Sequence, residues 1–183
     1  MITCVAVSEK PWEHSRLSRK LRYLNLVRPV GTCEELHTAR LEAIDKVKSD
    51  VFFFQDTTDS MPSHMVDSIG TVGFVRGPIK TIEFFDDGRE FVRVFTPEQH
   101  HVCRAFVDTE KAQKVGQYLP KGNFDTYVLL FHFLEKAYGS TVDPKLEMAY
   151  RKVPLGLHMQ AQPAIENSLK WIALHESRIL SYL

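Results

Sequence analysis

The sequence predicts an α/β domain: one mixed, mainly parallel sheet flanked by helices and closed by a C-terminal helix. Three observations predict it. Strand-like and helix-like runs alternate through the first third of the chain, the wholly apolar Val51-Phe52-Phe53-Phe54 sits at the end of that alternation, and an amphipathic stripe follows Pro163. Alternation of this kind favours parallel strands joined by helical crossovers. An unbroken apolar strand is one covered on both faces. The 183 residues suffice for one hydrophobic core and leave little for a second.

Taken in order, residues 2–8 alternate and are rich in Val, which predicts a buried first strand ended by Pro11. The basic stretch 13–24 puts Leu17, Leu21 and Leu24 on one helical face, and 26–30 reads as a short extended piece. Thr32-Cys33-Glu34-Glu35 has the S/T-x-x-E form of a capping box. From it Leu36, Ala39, Ala43, Ile44 and Val47 keep helical spacing to Lys48. The phenylalanine-rich strand 51–54 then stops at Gln55-Asp56-Thr57-Thr58-Asp59. In the middle, 81–85 and 89–95 flank Asp86-Asp87-Gly88, a hairpin signature, and 102–107 is a further strand candidate. Asp108 can cap a short helix to Val115, and Phe124, Val128, Phe131 and Leu134 mark another. Beyond Pro163, Ile165, Leu169, Ile172, Ala173, Ile179 and Leu180 form the apolar face of a closing helix. The chain divides into 1–62, 63–160 and the helix 161–183, without repeat or linker.

Lys plus Arg and Asp plus Glu balance at 23 each, so no global field collects nucleic acid or anionic membrane. Cys4, Cys33 and Cys103 are odd in number and scattered, unlike a disulfide framework or a zinc site. No segment has the length and apolarity of a membrane span or a secretory leader, so the expected location is cytoplasmic. His14, His37, His64, His100 and His101 lack ligand spacing and are assigned no function. The middle interleaves Arg76, Lys80, Arg89 and Arg93 with Phe84, Phe85, Phe91 and Phe95, a mixture that a half-buried hairpin or a nucleic-acid surface would both produce.

Chemistry concentrates at loop ends. Asp56 and Asp59 follow a buried strand directly, and two nearby carboxylates supply the hard oxygen donors of a divalent cation, or else a solvated turn with a helix cap. Asp125, in Lys121-Gly122-Asn123-Phe124-Asp125, suits either a stabilising charge at a helix start or a general base at the mouth of a crevice. His158 follows an extended stretch and reads as a surface residue or a neutral imidazole ligand. Arg40 offers guanidinium donors to a phosphate, or is a surface cation.

The order of these pieces resembles the GT-A glycosyltransferases, most of all the inverting family-two type. Thr38-Ala39-Arg40 leading into the apolar strand and its acidic cluster carries the likeness. It continues through Cys103-Arg104, Lys114-Val115-Gly116, Asn123-Phe124-Asp125, Tyr138-Gly139, Tyr150-Arg151 and Gly156-Leu157-His158. The resemblance implies a single GT-A-like domain, with a nucleotide-binding half in 1–62 and an acceptor half in 63–160. It implies a divalent ion, Mn2+ or Mg2+, on Asp56, Asp59 and His158, and a nucleoside diphosphate sugar, a UDP-sugar, bordered by Ala6, Val7, Ser8, Arg40 and Asp56. Asp125 would be the base that activates an acceptor hydroxyl on a glycan, a small molecule or a modified nucleic acid. The family's D-x-D is here D-T-T-D, and its Glu-Asp is here Phe124-Asp125. Those departures keep a second reading open, a noncatalytic nucleotide-sugar or phosphate-binding module, beside a third, a nucleotidyltransferase.

Overall fold

In a computed structural model, the described residues are 1–11, 21–55, 59–60, 75–76, 79–84, 90–95, 105–142, 150–152 and 157–183. The first strand, β1 (Ile2–Ser8), pairs in parallel with β2 (Leu21–Val27) on one side and β3 (Val51–Phe54) on the other. Registers run Ile2↔Leu21 through Ser8↔Val27 and Ile2↔Val51 through Val5↔Phe54. Residues 21–24 are therefore strand, where leucine spacing predicts the end of a helix. Pairing all seven residues of β2 with β1 satisfies its backbone in the sheet, and tertiary context of that kind overrides a local spacing. Its edge position leaves Arg22 and Val27 exposed while Leu21 and Leu26 are buried.

Next come α1 (Cys33–Lys46), β4 (Asp59–Ser60), β5 (Val75–Arg76), β6 (Ile79–Phe84), β7 (Glu90–Phe95) and β8 (Ala105–Asp108). They are followed by α2 (Thr109–Gly116), α3 (Thr126–Tyr138), β9 (Thr141–Val142), β10 (Tyr150–Lys152) and α4 (Leu157–Leu180). Two sheets result, in the orders β2-β1-β3-β8-β5-β9 and β4-β10-β6-β7. β1–β2, β1–β3, β5–β9 and β10–β6 are parallel, whereas β3–β8, β5–β8, β6–β7 and β10–β4 are antiparallel. The architecture is thus α/β with mixed sheets, less parallel than expected, and the hairpin signature at 86–88 corresponds to the β6–β7 pair, Phe84↔Glu90.

The capping box is formed: Thr32 Oγ1 accepts from the Glu35 amide at 3.1 Å and Glu35 Oε2 accepts from the Thr32 amide at 3.0 Å. Two of the amides that a helix start leaves without intrahelical partners are thereby satisfied, which favours a helix beginning there. Asp108 caps α2 by accepting from the Lys111 amide at 3.0 Å. The core lies between the helices and one face of the first sheet, joining Ala43 and Ile44 of α1, Phe52 and Phe54 of β3, Val107, and Leu129, Leu130 and Phe133 of α3. Phe53 buries on the opposite face of β3, against Phe106 with ring centroids 5.2 Å apart, as the twofold alternation of a strand requires.

The closing helix α4 begins at Leu157, six residues before the proline that was expected to precede it, and Pro163 lies inside it. Its buried seam is Ala164, Ser168, Ile172 and Ile179. Leu169 is 55% and Leu174 79% exposed, and Ala173 is exposed too, so the expected apolar face is rotated. A buried serine explains the rotation: Ser168 donates its hydroxyl to the Ala164 carbonyl at 2.8 Å and accepts from the Asp125 amide at 2.8 Å. Hydrogen bonding on both sides removes the cost of burial that a hydrophobicity count assigns to it. Among the described residues no helix is long and apolar enough to cross a membrane.

Candidate functional site

The carboxyl ends of β1 and β3, the start of α3 and the inner face of α1 converge. Gln55 donates its amide to the Val5 carbonyl at 2.8 Å, which pins the chain one residue before Asp56. Phe54, the last residue of β3, meets the Tyr127 ring at 5.4 Å between centroids. Tyr127 is two residues past Asp125, so the strand that leads to the acidic cluster and the helix start that carries Asp125 are in contact. A parallel strand end facing a helix start is where α/β folds bind ligands.

Asp125 is the N-cap of α3 and accepts at Oδ1 from the Val128 amide at 3.0 Å. The helix-start alternative raised from the sequence is therefore correct as far as the fold goes. Among the described residues Oδ2 accepts no hydrogen bond, and the side chain is half-buried. One carboxylate oxygen holds the helix while the other is available for chemistry.

Arg40 is not a surface cation. It is only 6% exposed, and its guanidinium carbon stands 4.0 Å from the centroid of the Tyr127 ring. Stacking on an aromatic face is how a desolvated guanidinium is accommodated, since its charge meets the negative face of the ring. Nearby, burial pushes the Cys33 thiol up, with the Asp125 charge acting in the same direction and Arg40 opposing it. His37 is pushed below the usual imidazole range, by burial first, while the Pro120 carbonyl and Asp125 resist and Arg40 assists. Cys33, His37, Arg40 and Asp125 are thus one electrostatic cluster at the interface of α1 and α3.

At the end of β1, Ala6 is buried and offers only its carbonyl, which accepts from Asn25 Nδ2 at 3.3 Å. Val7 packs against the core. Ser8 accepts from Asn25 Nδ2 at 2.8 Å and donates to the Lys10 carbonyl at 2.7 Å. The polar edge beside β1 is consequently built by Ser8 and Asn25, and sequence reasoning passed over Asn25.

Asp56 lies outside the described residues. Asp59 begins β4, where its backbone stands opposite Arg151 of β10. His158, expected in a loop after an extended stretch, is in the first turn of α4, which begins at Leu157 after β10 ends at Lys152. The side chains of Asp59 and His158 are outside the described set, as is Cys103. Among the described residues no group of three His, Cys, Asp or Glu side chains could hold a metal ion.

His37, Thr126 and Ser168 were also missed. His37 is buried and bonded at both ring nitrogens, to Thr126 Oγ1 at 2.9 Å and to the Pro120 carbonyl at 2.8 Å. Its signal was its place three residues before Arg40 within the apolar face of α1, where a histidine must be satisfied by partners. On the opposite side of α1 a groove of about 440 Å³ is lined by Arg28, Glu34, Glu35 and Glu42 among others. Glu42 is committed there to Arg28 at 2.7 Å and Lys46 at 2.9 Å, and these hydrogen bonds pull its carboxyl down to about 2. Its carboxylates disfavour an anionic ligand, and the groove faces away from Asp125.

No protein-family model matches this chain, and no curated protein matches it.

Proposed function

We propose that the chain is a metal-dependent glycosyltransferase of the GT-A type, moving a sugar from a nucleoside diphosphate sugar to an acceptor hydroxyl with inversion. One observation carries the proposal: the helix start that presents Asp125 packs, through Tyr127 on Phe54, onto the strand that leads into Asp56. A base and a phosphate-binding cluster must share a hollow for this reaction, and this packing supports their doing so.

The residues divide the work by chemical type. Asp56, Asp59 and His158 would hold the divalent ion, a donor set of carboxylates and imidazole that manganese accepts more readily than magnesium does. The ion, when bound, supplies charge neutralisation for the departing diphosphate. Asp125 would take the acceptor proton at Oδ2, its Oδ1 being engaged by the Val128 amide. Arg40, beside the same cleft, would add positive potential from its place over Tyr127. Ser8, with Ala6 and Val7, would border the nucleoside, and Asn25 orients the Ser8 hydroxyl.

The reading is tested by incubating the protein with a panel of sugar nucleotides and manganese and measuring free nucleoside diphosphate. Metal-dependent release supports the transferase. The D-T-T-D spacing and Phe124 in place of an acidic residue favour one rival, a binding module that retains the fold. Stabilisation by a sugar nucleotide without release would establish that rival, and neither stabilisation nor release would remove both.

A further inference from the structure

The reaction scheme leaves His37 unused, yet it is 1% exposed and makes two long-range hydrogen bonds. A carbonyl oxygen only accepts, so Nε2, 2.8 Å from the Pro120 carbonyl, carries the proton. In the neutral ring Nδ1 then accepts, and the Thr126 hydroxyl at 2.9 Å donates to it. Burial keeps the ring neutral near pH 7, which makes this the resting tautomer.

These two bonds fall at either end of the segment 120–126, and the residue before Thr126 is Asp125. From the other side α4 grips the same segment. Ser168 accepts from the Asp125 amide at 2.8 Å, and Asn167 Nδ2 donates to the Asn123 carbonyl at 3.1 Å. The turn is short and contains Gly122 at φ +119°, a backbone without intrinsic stiffness. Beside its own bond from the Phe124 amide to the Gly122 carbonyl at 3.0 Å, the turn is held by α1 and α4, and from α1 His37 supplies two hydrogen bonds. A base must be held close to its productive position, since a misplacement of about 1 Å can cost about 10²-fold in rate.

We propose that His37 is a positioning residue for Asp125: by tying the Pro120 carbonyl and the Thr126 hydroxyl it fixes the direction of the carboxylate oxygen left over from helix capping. The inference rests on the reading of Asp125 as the base. A histidine that merely fills space predicts otherwise, because phenylalanine would fill the same space.

Two substitutions separate these accounts. His37→Gln keeps an acceptor for Thr126 and a donor for Pro120 at a spacing like that of the ring nitrogens, whereas His37→Phe keeps bulk and removes both. The first measurement needs no turnover: NMR of the Val128 amide exchange in the full chain. His37→Phe should speed Val128 exchange about tenfold or more, with Ala112 in α2 unchanged and His37→Gln close to wild type. The second is nucleoside diphosphate release, in which His37→Phe should lower kcat about 10²-fold with donor KM little changed, and His37→Gln should recover most of it. Unaltered Val128 exchange in His37→Phe would overturn the proposal, as would a His37→Gln protein as impaired as His37→Phe. Should His37→Phe not fold, Thr126→Val removes the same bond from its other end and is read identically. If the wild type releases no diphosphate from any donor while the exchange response is as expected, the tie from His37 to the Asp125 turn stands and the base reading falls.

Discussion

Asp125 holds two jobs that substitution can separate. As N-cap it accepts from the Val128 amide at 3.0 Å, and as proposed base it offers the remaining oxygen. Asn caps a helix as well as Asp does, whereas replacing a capping residue by Ala costs about 0.5–2 kcal/mol. Loss of the negative charge at the helix start costs a further 0.3–1 kcal/mol or so, toward the lower end for a half-exposed group. At this chain length about 1 kcal/mol moves Tm by about 2–4 °C. Asp125→Asn should therefore lower Tm by roughly 1–4 °C and Asp125→Ala by roughly 2–10 °C, measured side by side by calorimetry. Turnover should separate differently: both variants lose about 10²–10⁴ of the rate of sugar transfer, because neither can take a proton, while donor binding is retained. A further readout needs no substrate. Since the Asp125 charge raises the Cys33 thiol and the His37 imidazole, both groups should titrate lower in Asp125→Asn, and alkylation of Cys33 should set in at lower pH. Wild-type turnover in Asp125→Asn would end the base assignment, and equal stability of the Ala and Asn variants would end the account of the cap.

Acid stability should depend on His37. Its folded pKa lies below the usual 6.5, so in the interval below 6.5 the unfolded chain binds the proton that the fold rejects. Stability is then fully present above about pH 6.5 and declines, by at most about 1.4 kcal/mol per pH unit, as pH falls toward the folded value; His37→Gln should flatten this, and identical urea midpoints against pH for both proteins would exclude it. Ser168→Ala leaves the Asp125 amide without its partner and should cost about 1–3 kcal/mol in urea unfolding, an unchanged midpoint showing that the clamp contributes nothing. On α4, Ile172→Ala should cost about 2–5 kcal/mol, whereas Leu174→Gln should stay within about 0.5 kcal/mol; the reverse order would contradict the buried seam.

Several elements were legible in the sequence because their signals are local. The capping box at Thr32, the Asp108 cap and the apolar strand 51–54 depend on residues within one turn or one strand, and all three formed. Residues 21–24 were not legible, because a leucine spacing compatible with a helix was overruled by a seven-residue pairing with β1. The candidate site divides the same way: Asp125 was found by its place before an apolar helix, while His37, Asn25 and Ser168 were passed over because their partners lie 89, 17 and 43 residues away. The apolar face around His37 shows that it needs partners, but no neighbour in the chain says which residues they are.

The sequence by itself determined where α1, α2 and α3 start, which strand is buried and that acidic groups follow it, since capping, periodicity and alternation act over a few residues. Only the tertiary structure decided that Arg40 lies under cover on Tyr127, that α4 turns a serine inward, and that the Asp125 turn is held by a histidine from α1. The physical reason is that a buried polar group is tolerable only once partners from distant segments meet it, and that meeting exists only in the folded chain.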